Sequence, residues 1–348
     1  RGELPSHLQT NKAGATRRPN LLKAEPKDRI RVIGYTVSRL LQTIPILVLV
    51  SLIAFGIIYL IPGDAATVIG GPSATAEDLA RIRANLGLDQ PLLVQIGRFY
   101  WNLLQGDLGR SLMLGMPVTD AVIARSPITI SIAIYSLVLT IVLGLSTGIV
   151  AALNHNRWLD QAATVFALIG VSLPNFWLAL VLIVLFSVHL GWLPTGGYIP
   201  FTEDPVGWLR TATLPALSLA MLQAGLLTRI TRSTMLEVLS QDYIRTARAK
   251  GVPEWVVVTR HALANTLMPV VTVLGLILSV LLSGSIVIET IFNIPGIGAL
   301  LGNAISNRDY PMIQGGLLFV TAALLMLNLV VDILYTWLDP RIRVGGKG

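Results

Sequence analysis

Long apolar runs alternate with shorter polar stretches along this chain, and the lengths of the runs predict its shape. A helix needs about 20 mainly apolar residues to cross a hydrocarbon core of about 30 Å. Six segments meet that requirement, at 35–61, 127–153, 161–190, 211–230, 264–288 and 311–337. The first is free of charge from Leu40 onward, and the fourth is the shortest. Backbone groups in lipid must pair within their own segment, so all six are predicted to be helices. Their length and the missing alternation exclude the strands of an outer-membrane barrel. The expected fold class is all-α, a polytopic membrane protein with six transmembrane helices.

Two of the polar stretches carry structure of their own. The stretch 62–126 is too long for a simple connection. Thr75, then Glu77 and Asp78, then Gly87 mark a capped helix over 76–87. A second helix is expected over 91–104, with Pro91 in its first turn and Phe99, Tyr100 and Trp101 together. Amphipathic pieces of this kind lie near a membrane interface or against a partner, or merely pack as a cap. The stretch 232–265 is the more informative. Helix formers dominate up to Lys250, Gly251 stands as a C′ glycine, and Pro253 as an early residue of a second short helix that begins with Glu254. That predicts a helix–turn–helix elbow. Its small residues Thr246, Ala247 and Ala249 admit the close approach of another backbone, and Arg245, Arg248 and Lys250 supply charge. A solvated basic loop that only sets topology accounts for the same residues equally well.

Composition agrees with lipid as the solvent. Of 348 residues, 53% are hydrophobic and 13% charged, against roughly 25% charged in soluble domains. The chain has no cysteine, which removes disulfides and thiolate sites. Its net charge of +7 sits between apolar segments, as expected for membrane orientation and not for nucleic acid. With the N-terminus inside, 19 of the 26 Lys and Arg residues fall on inner regions, so both termini are predicted to be cytoplasmic. The segment 1–34 then reads as a flexible cytoplasmic tail and 338–348 as a cytoplasmic end. The first span is longer than the roughly 7–15 residues of a signal-peptide core.

Polar residues inside the spans are few. Asp332 and Glu289 sit near span ends, where pairing or capping is the expected role. Asn175, after Pro174, either satisfies backbone groups at a proline kink or faces a pathway. Gly144 to Gly148 forms a small-xxx-small pattern for close helix packing. The four histidines show no metal-ligand spacing. No Gly-x-x-x-x-Gly-Lys-Ser/Thr loop exists, so the chain is not expected to hydrolyse ATP.

The elbow resembles the cytoplasmic "EAA" loop of binding-protein-dependent ATP-binding-cassette permeases. Arg245-Thr246-Ala247 stand at its first three positions, Gly251 at its glycine, and His261-Ala262-Leu263-Ala264 at its last four. The general Glu, Ile and Pro are absent, but Arg-Thr-Ala-Arg-Ala-Lys-Gly is similar to the wording of the dipeptide, oligopeptide and nickel branch. Five further segments resemble that branch: 86–92 with 106–111, then 171–177, 288–298, 307–311 and 338–343. Together they span nearly everything but the tail.

The resemblance implies a type I importer permease fold and an inner-membrane location in bacteria. The long first outer loop is similar to that of the first-named permease of a pair. The implied partners are a second homologous permease, two ATP-binding-cassette ATPases and an extracytoplasmic substrate-binding protein, with lipid around them and no nucleic acid. ATP and Mg would be bound by the ATPases, and this chain would hold no cofactor or metal. The elbow would be the coupling helix seated in a groove of an ATPase. Peptides are the expected cargo; nickel chelate, glutathione, haem or another small solute are the alternatives. A stand-alone secondary carrier is the competing class, and an inverted repeat or an intramembrane charged pair would have favoured it.

Overall fold

The computed structural model describes residues 41–56, 59, 65–71 and 74–338. The predicted tail, the first residues of the first predicted span, part of its outer end, and the C-terminal end beyond Leu338 lie outside the described residues.

The helices appear where apolar length and capping residues predict them, with informative differences. The first predicted span is described as α1 (Leu41–Gly56). After it come α2 (Ala65–Gly70), α3 (Ala76–Leu86) and α4 (Leu92–Leu104). Thr75 and Asp78 form a reciprocal capping box at the start of α3. The Thr75 hydroxyl and backbone N–H hold the Asp78 carboxyl below the usual aspartate range. At the other end of α3, Gly87 takes the left-handed conformation at φ 68°. Pro91 caps α4 from just outside it.

The long helices follow. α5 (Val118–Leu153) begins well before 127, because Pro117 starts the helix and Pro127 is carried inside it. The third predicted span is not one straight helix. α6 (Trp158–Ser172) and α7 (Asn175–Leu182) meet at a bend of 107°, and α7 continues into wider turns over Ile183–His189. Pro174 lacks an N–H and pushes Leu173 into extended backbone (φ −85°, ψ 128°). α8 (Pro205–Leu239) contains the fourth predicted span and runs past both its ends, so 232–239 is helix and not loop. Then come α9 (Asp242–Ala249), α10 (Glu254–Val256), wide turns over Val257–Ala262, and α11 (Leu263–Ile291). α12 (Ile297–Ser306) and α13 (Tyr310–Leu338) complete the described chain. Among the described residues, four helices are long and apolar enough to cross a membrane, five if the bent pair counts as one span.

α8 is the axis of the bundle. It is the least apolar of the four long helices, yet 72% of its most apolar stretch is buried, against 33% for α5 and 11% for α13. The main core gathers Leu214, Leu219 and Leu227 of α8 with Ile132 of α5 and Ile277, Leu281 and Ile288 of α11. Glycines set the spacing. A Cβ at Gly144 of α5 would lie 2.7 Å from Leu227 Cβ, and one at Gly148 would lie 2.6 Å from Thr231 Cβ. On the other side, a Cβ at Gly170 of α6 would come 2.6 Å from the Met221 carbonyl, and one at Gly225 of α8 as near to that of Ala167. The small-xxx-small pattern therefore does pack two helices, and its partner is α8.

These contacts fix a stability prediction. Gly148→Val pushes α5 off α8 with no flexible neighbour to yield, at a cost of about 1–3 kcal/mol. The expected result is a melting temperature in detergent several degrees lower, measured by fluorescence-detected size exclusion, with an unchanged value excluding tight α5–α8 packing.

Candidate functional site: the elbow and its anchors

The elbow is built from a short helix that is closed by a glycine. Gly251 follows α9 at φ 76°, a conformation that costs other residues about 1 kcal/mol or more. Its N–H donates to the Arg248 carbonyl at 2.9 Å, and the Val252 N–H donates to the Ala247 carbonyl at 3.2 Å. This pair of bonds is a Schellman closure. Val252 and Ala247 pack together against the same small core, which supplies the apolar contact that such a closure needs. Pro253 stands just before α10 and caps it instead of lying within it.

The inner side of the elbow is anchored to three long helices at once. Ile244 is fully buried with Met235 of α8, Ala152 of α5, and Val257 and Ala262 at the approach to α11. Thr266 of α11 donates to the Met235 sulfur at 3.3 Å. The side of α9 facing away is open. Arg245, Thr246, Arg248, Ala249, Lys250, Gly251, Pro253 and Glu254 are all exposed. Of the predicted elbow residues, Ala247 and His261 are half-buried. Arg248 and Glu254 form a two-pronged ion pair across the turn, at 3.1 and 2.6 Å, which raises the Arg248 pKa further. Arg245 sits beside Asp242 at 3.5 Å. Nothing stands within 4 Å of the point where a Gly251 side chain would begin. The eight exposed residues thus form one open surface. Tyr243 and Trp255, 71% exposed, join it without having been singled out by their neighbours in sequence.

Beside the elbow lies a polar anchor that the sequence analysis did not single out. Asp160, at the start of α6, is buried, and Arg232 of α8 grips both of its oxygens, one at 2.8 Å. The Asn156 N–H donates to the same carboxylate at 3.0 Å, and His155 Nδ1 lies 3.4 Å away. These residues are 72 positions apart, so no local pattern announces them.

The opposite end of the bundle is tied by two buried carboxylates. Glu289 of α11 accepts from the Thr129 hydroxyl at 2.7 Å and from the Ala299 N–H at 3.1 Å. Thr129 in turn accepts from the Ile297 N–H at 2.9 Å. Together they satisfy the free N–H groups that open α12, where an anion is favoured. A Cβ at Gly296 would lie 2.4 Å from the Glu289 carboxyl carbon, so glycine is required for close approach. Asp309 accepts from the Ser111 hydroxyl, from the Leu112 and Met113 N–H groups at 3.2 Å each, and from the Met312 N–H at 3.3 Å. It caps α13 and holds the loop before α5. Pro174 and Asn175 lie apart from the elbow. They line a cavity of about 470 Å3 with Leu222 of α8 and Gly284 and Val287 of α11.

A helical bundle organised around a buried axis, with helices long and apolar enough to cross a membrane and one exposed elbow seated on three of them, is the architecture of a polytopic membrane protein. The matched family is described as the binding-protein-dependent transport system inner membrane component, over residues 144–344. The matching N-terminal region of such membrane components covers 32–133. The chain belongs to this family and is a multi-pass inner-membrane permease with the type I ABC importer fold. A Brucella abortus (strain 2308) protein, provisionally named a peptide transport system permease, is 50% identical over 88% of this chain and 98% of its own length. The glutathione transport system permease protein GsiC of Escherichia coli (strain K12) is 43% identical over 90% of this chain and 99% of its own. A solved amino acid ABC transporter chain aligns with 64% of this chain and 95% of its own, at 15% identity and a TM-score of 0.47.

The polar anchor gives the second prediction. Removing one partner of a buried ion pair costs about 3–5 kcal/mol, and less here because the Arg232 side chain keeps 30% exposure. Asp160→Ala should lower the melting temperature clearly, whereas joint replacement with Arg232→Met should recover part of the loss; equal melting of all three proteins would show that the pair contributes nothing.

Proposed function

We propose that this chain is one of two homologous permeases in an ATP-driven importer of peptides. Two ATPase subunits would bind ATP and Mg at the elbow side, and an extracytoplasmic binding protein would deliver cargo at the other. In this reading both termini and the elbow are cytoplasmic. Arg245, Thr246, Ala247, Arg248, Ala249, Lys250, Gly251, Pro253, Glu254 and His261 make the coupling surface. The observation that carries it is the double character of the elbow: open outward, yet sharing one core with α5, α8 and the root of α11. Movement of a docked ATPase would reach three long helices without passing through a flexible joint. The bundle would then move between inward and outward states, with ATP binding biasing a two-state element.

Peptide cargo rests on the 50% identical relative. Glutathione is the second reading, supported by the GsiC relatives, which this chain matches along nearly their whole length. Pro174 and Asn175 are assigned to the pathway side, because the cleft they line opens between α8 and α11 at the bend.

Gentle purification from the native host should bring a second permease and ATPases with this chain. Recovery of the chain alone, transport-competent without ATP, would replace the importer with a secondary carrier. Reconstituted vesicles then separate cargoes: uptake of labelled di- and oligopeptides, unaffected by excess glutathione, is the expected result. At the elbow, Gly251→Ala carries only backbone strain and should leave most transport intact. Gly251→Trp projects bulk into the docking space and should lower uptake at least tenfold while ATP hydrolysis persists or the ATPase dissociates. Normal coupled uptake in the tryptophan variant would refute the coupling role.

A further inference from the structure

Helix α4 has no buried residue, although most of its thirteen residues are apolar. A short helix in water depends on packing an apolar face against something. Part of α4 has found that contact. Phe99 packs on Phe55 of α1 with ring centroids 5.4 Å apart, and the Tyr100 hydroxyl hydrogen-bonds that of Ser51 at 2.8 Å. The Tyr59 hydroxyl donates to Gln95. A polar strip of Gln95, Arg98 and Asn102 lines a cleft of about 470 Å3 that also reaches Gln314 and Leu318 of α13. The remaining face carries Leu93, Gly97, Trp101 and Leu104, spaced i, i+4, i+8 and i+11 along one side. Leu93, Trp101 and Leu104 are 81%, 64% and 83% exposed.

The level of this face is fixed by its neighbours. The contacts 59 with 95, 55 with 99 and 51 with 100 show that α4 runs antiparallel to α1, its C-terminal end deepest. Gln314, one turn inside α13, donates to the Phe55 carbonyl at 3.3 Å. Trp101 and Leu104 therefore stand beside the apolar part of α1 and below the first turn of α13. Leu49, Leu52 and Ile53 of α1 are exposed at this same depth, so the open face of α4 continues the bare apolar surface of α1. A water-soluble partner would have to reach beneath the ends of the spanning helices to cover it.

We propose that α4 is an amphipathic helix that dips C-terminal end first beside α1 into the leaflet opposite the elbow, its Leu93, Gly97, Trp101 and Leu104 face toward lipid and its polar strip turned to the cleft. Tryptophan at that depth fits the boundary of headgroups and acyl chains. The inference concerns lipid and stands independently of the cargo.

The chain has no cysteine, so a single spin label placed in it, before assembly with its partners, has no background from this subunit. Leu93→Cys, Trp101→Cys and Leu104→Cys report the apolar face, and Arg98→Cys and Asn102→Cys the polar side. Each is measured in the assembled complex in phosphatidylcholine–phosphatidylglycerol vesicles, after checking that ATPase activity is retained. Collisions with dissolved oxygen and with a water-soluble nickel chelate are compared. The first three labels should favour oxygen several-fold over nickel, and the last two nickel over oxygen. Equal nickel access at all five positions overturns the proposal, as does shielding of the three from both reagents that disappears when the binding protein is removed.

Discussion

Everything in this molecule is arranged around the close approach of α8 to α5 and α6. That approach exists because Gly144, Gly148, Gly170 and Gly225 present no side chains where the backbones meet. Lipid tails are as apolar as leucine, so segregation from water does not drive spanning helices together. Intimate contact between surfaces of small residues does. With α8 enclosed, α11 closes the core and α13 lies further out, largely open to its surroundings. The elbow follows α8 directly, so its place is set by the most deeply held helix in the structure.

Polar chemistry is concentrated at the ends of the bundle, where it fastens helix termini. Glu289 with Thr129 satisfies the opening turn of α12, and Asp309 caps α13 while gripping the loop that precedes α5. At the elbow end, Asp160 and Arg232 join α6 to α8. Carboxylates placed against backbone N–H groups and one guanidinium avoid the cost of charge at mid-depth. The result is a bundle with an uncharged middle and two clamped ends. Such a body resists deformation, because its core is packed.

The elbow's own construction fixes its shape. A single left-handed glycine ends α9 sharply, and two backbone bonds and one apolar contact seal the turn. The turn therefore holds its shape using residues that point inward. Those that point outward make ion pairs on the surface, and Thr246 and Tyr243 one hydrogen bond each, to the Asp242 carbonyl and from the Asn265 amide.

The sequence by itself determined the helical class, because hydrocarbon admits few other ways to pair a backbone, and apolar length then locates the spans. It also determined local punctuation: Thr75, Gly87, Gly251 and the pattern from Gly144 to Gly148 each act through geometry confined to a few residues. What lay beyond it were features set by distant neighbours. The bend of the third span depends on how α6 and α7 each find room beside α8, which proline alone does not dictate. The weak apolar signal of the fourth span concealed the most buried helix, since a helix surrounded by protein needs fewer lipid-loving side chains. The Asp160–Arg232 pair and the open face of α4 are likewise facts of tertiary placement. Local sequence encodes how a backbone satisfies its own hydrogen bonds, whereas which faces meet, and which stay bare, is decided only when the helices pack.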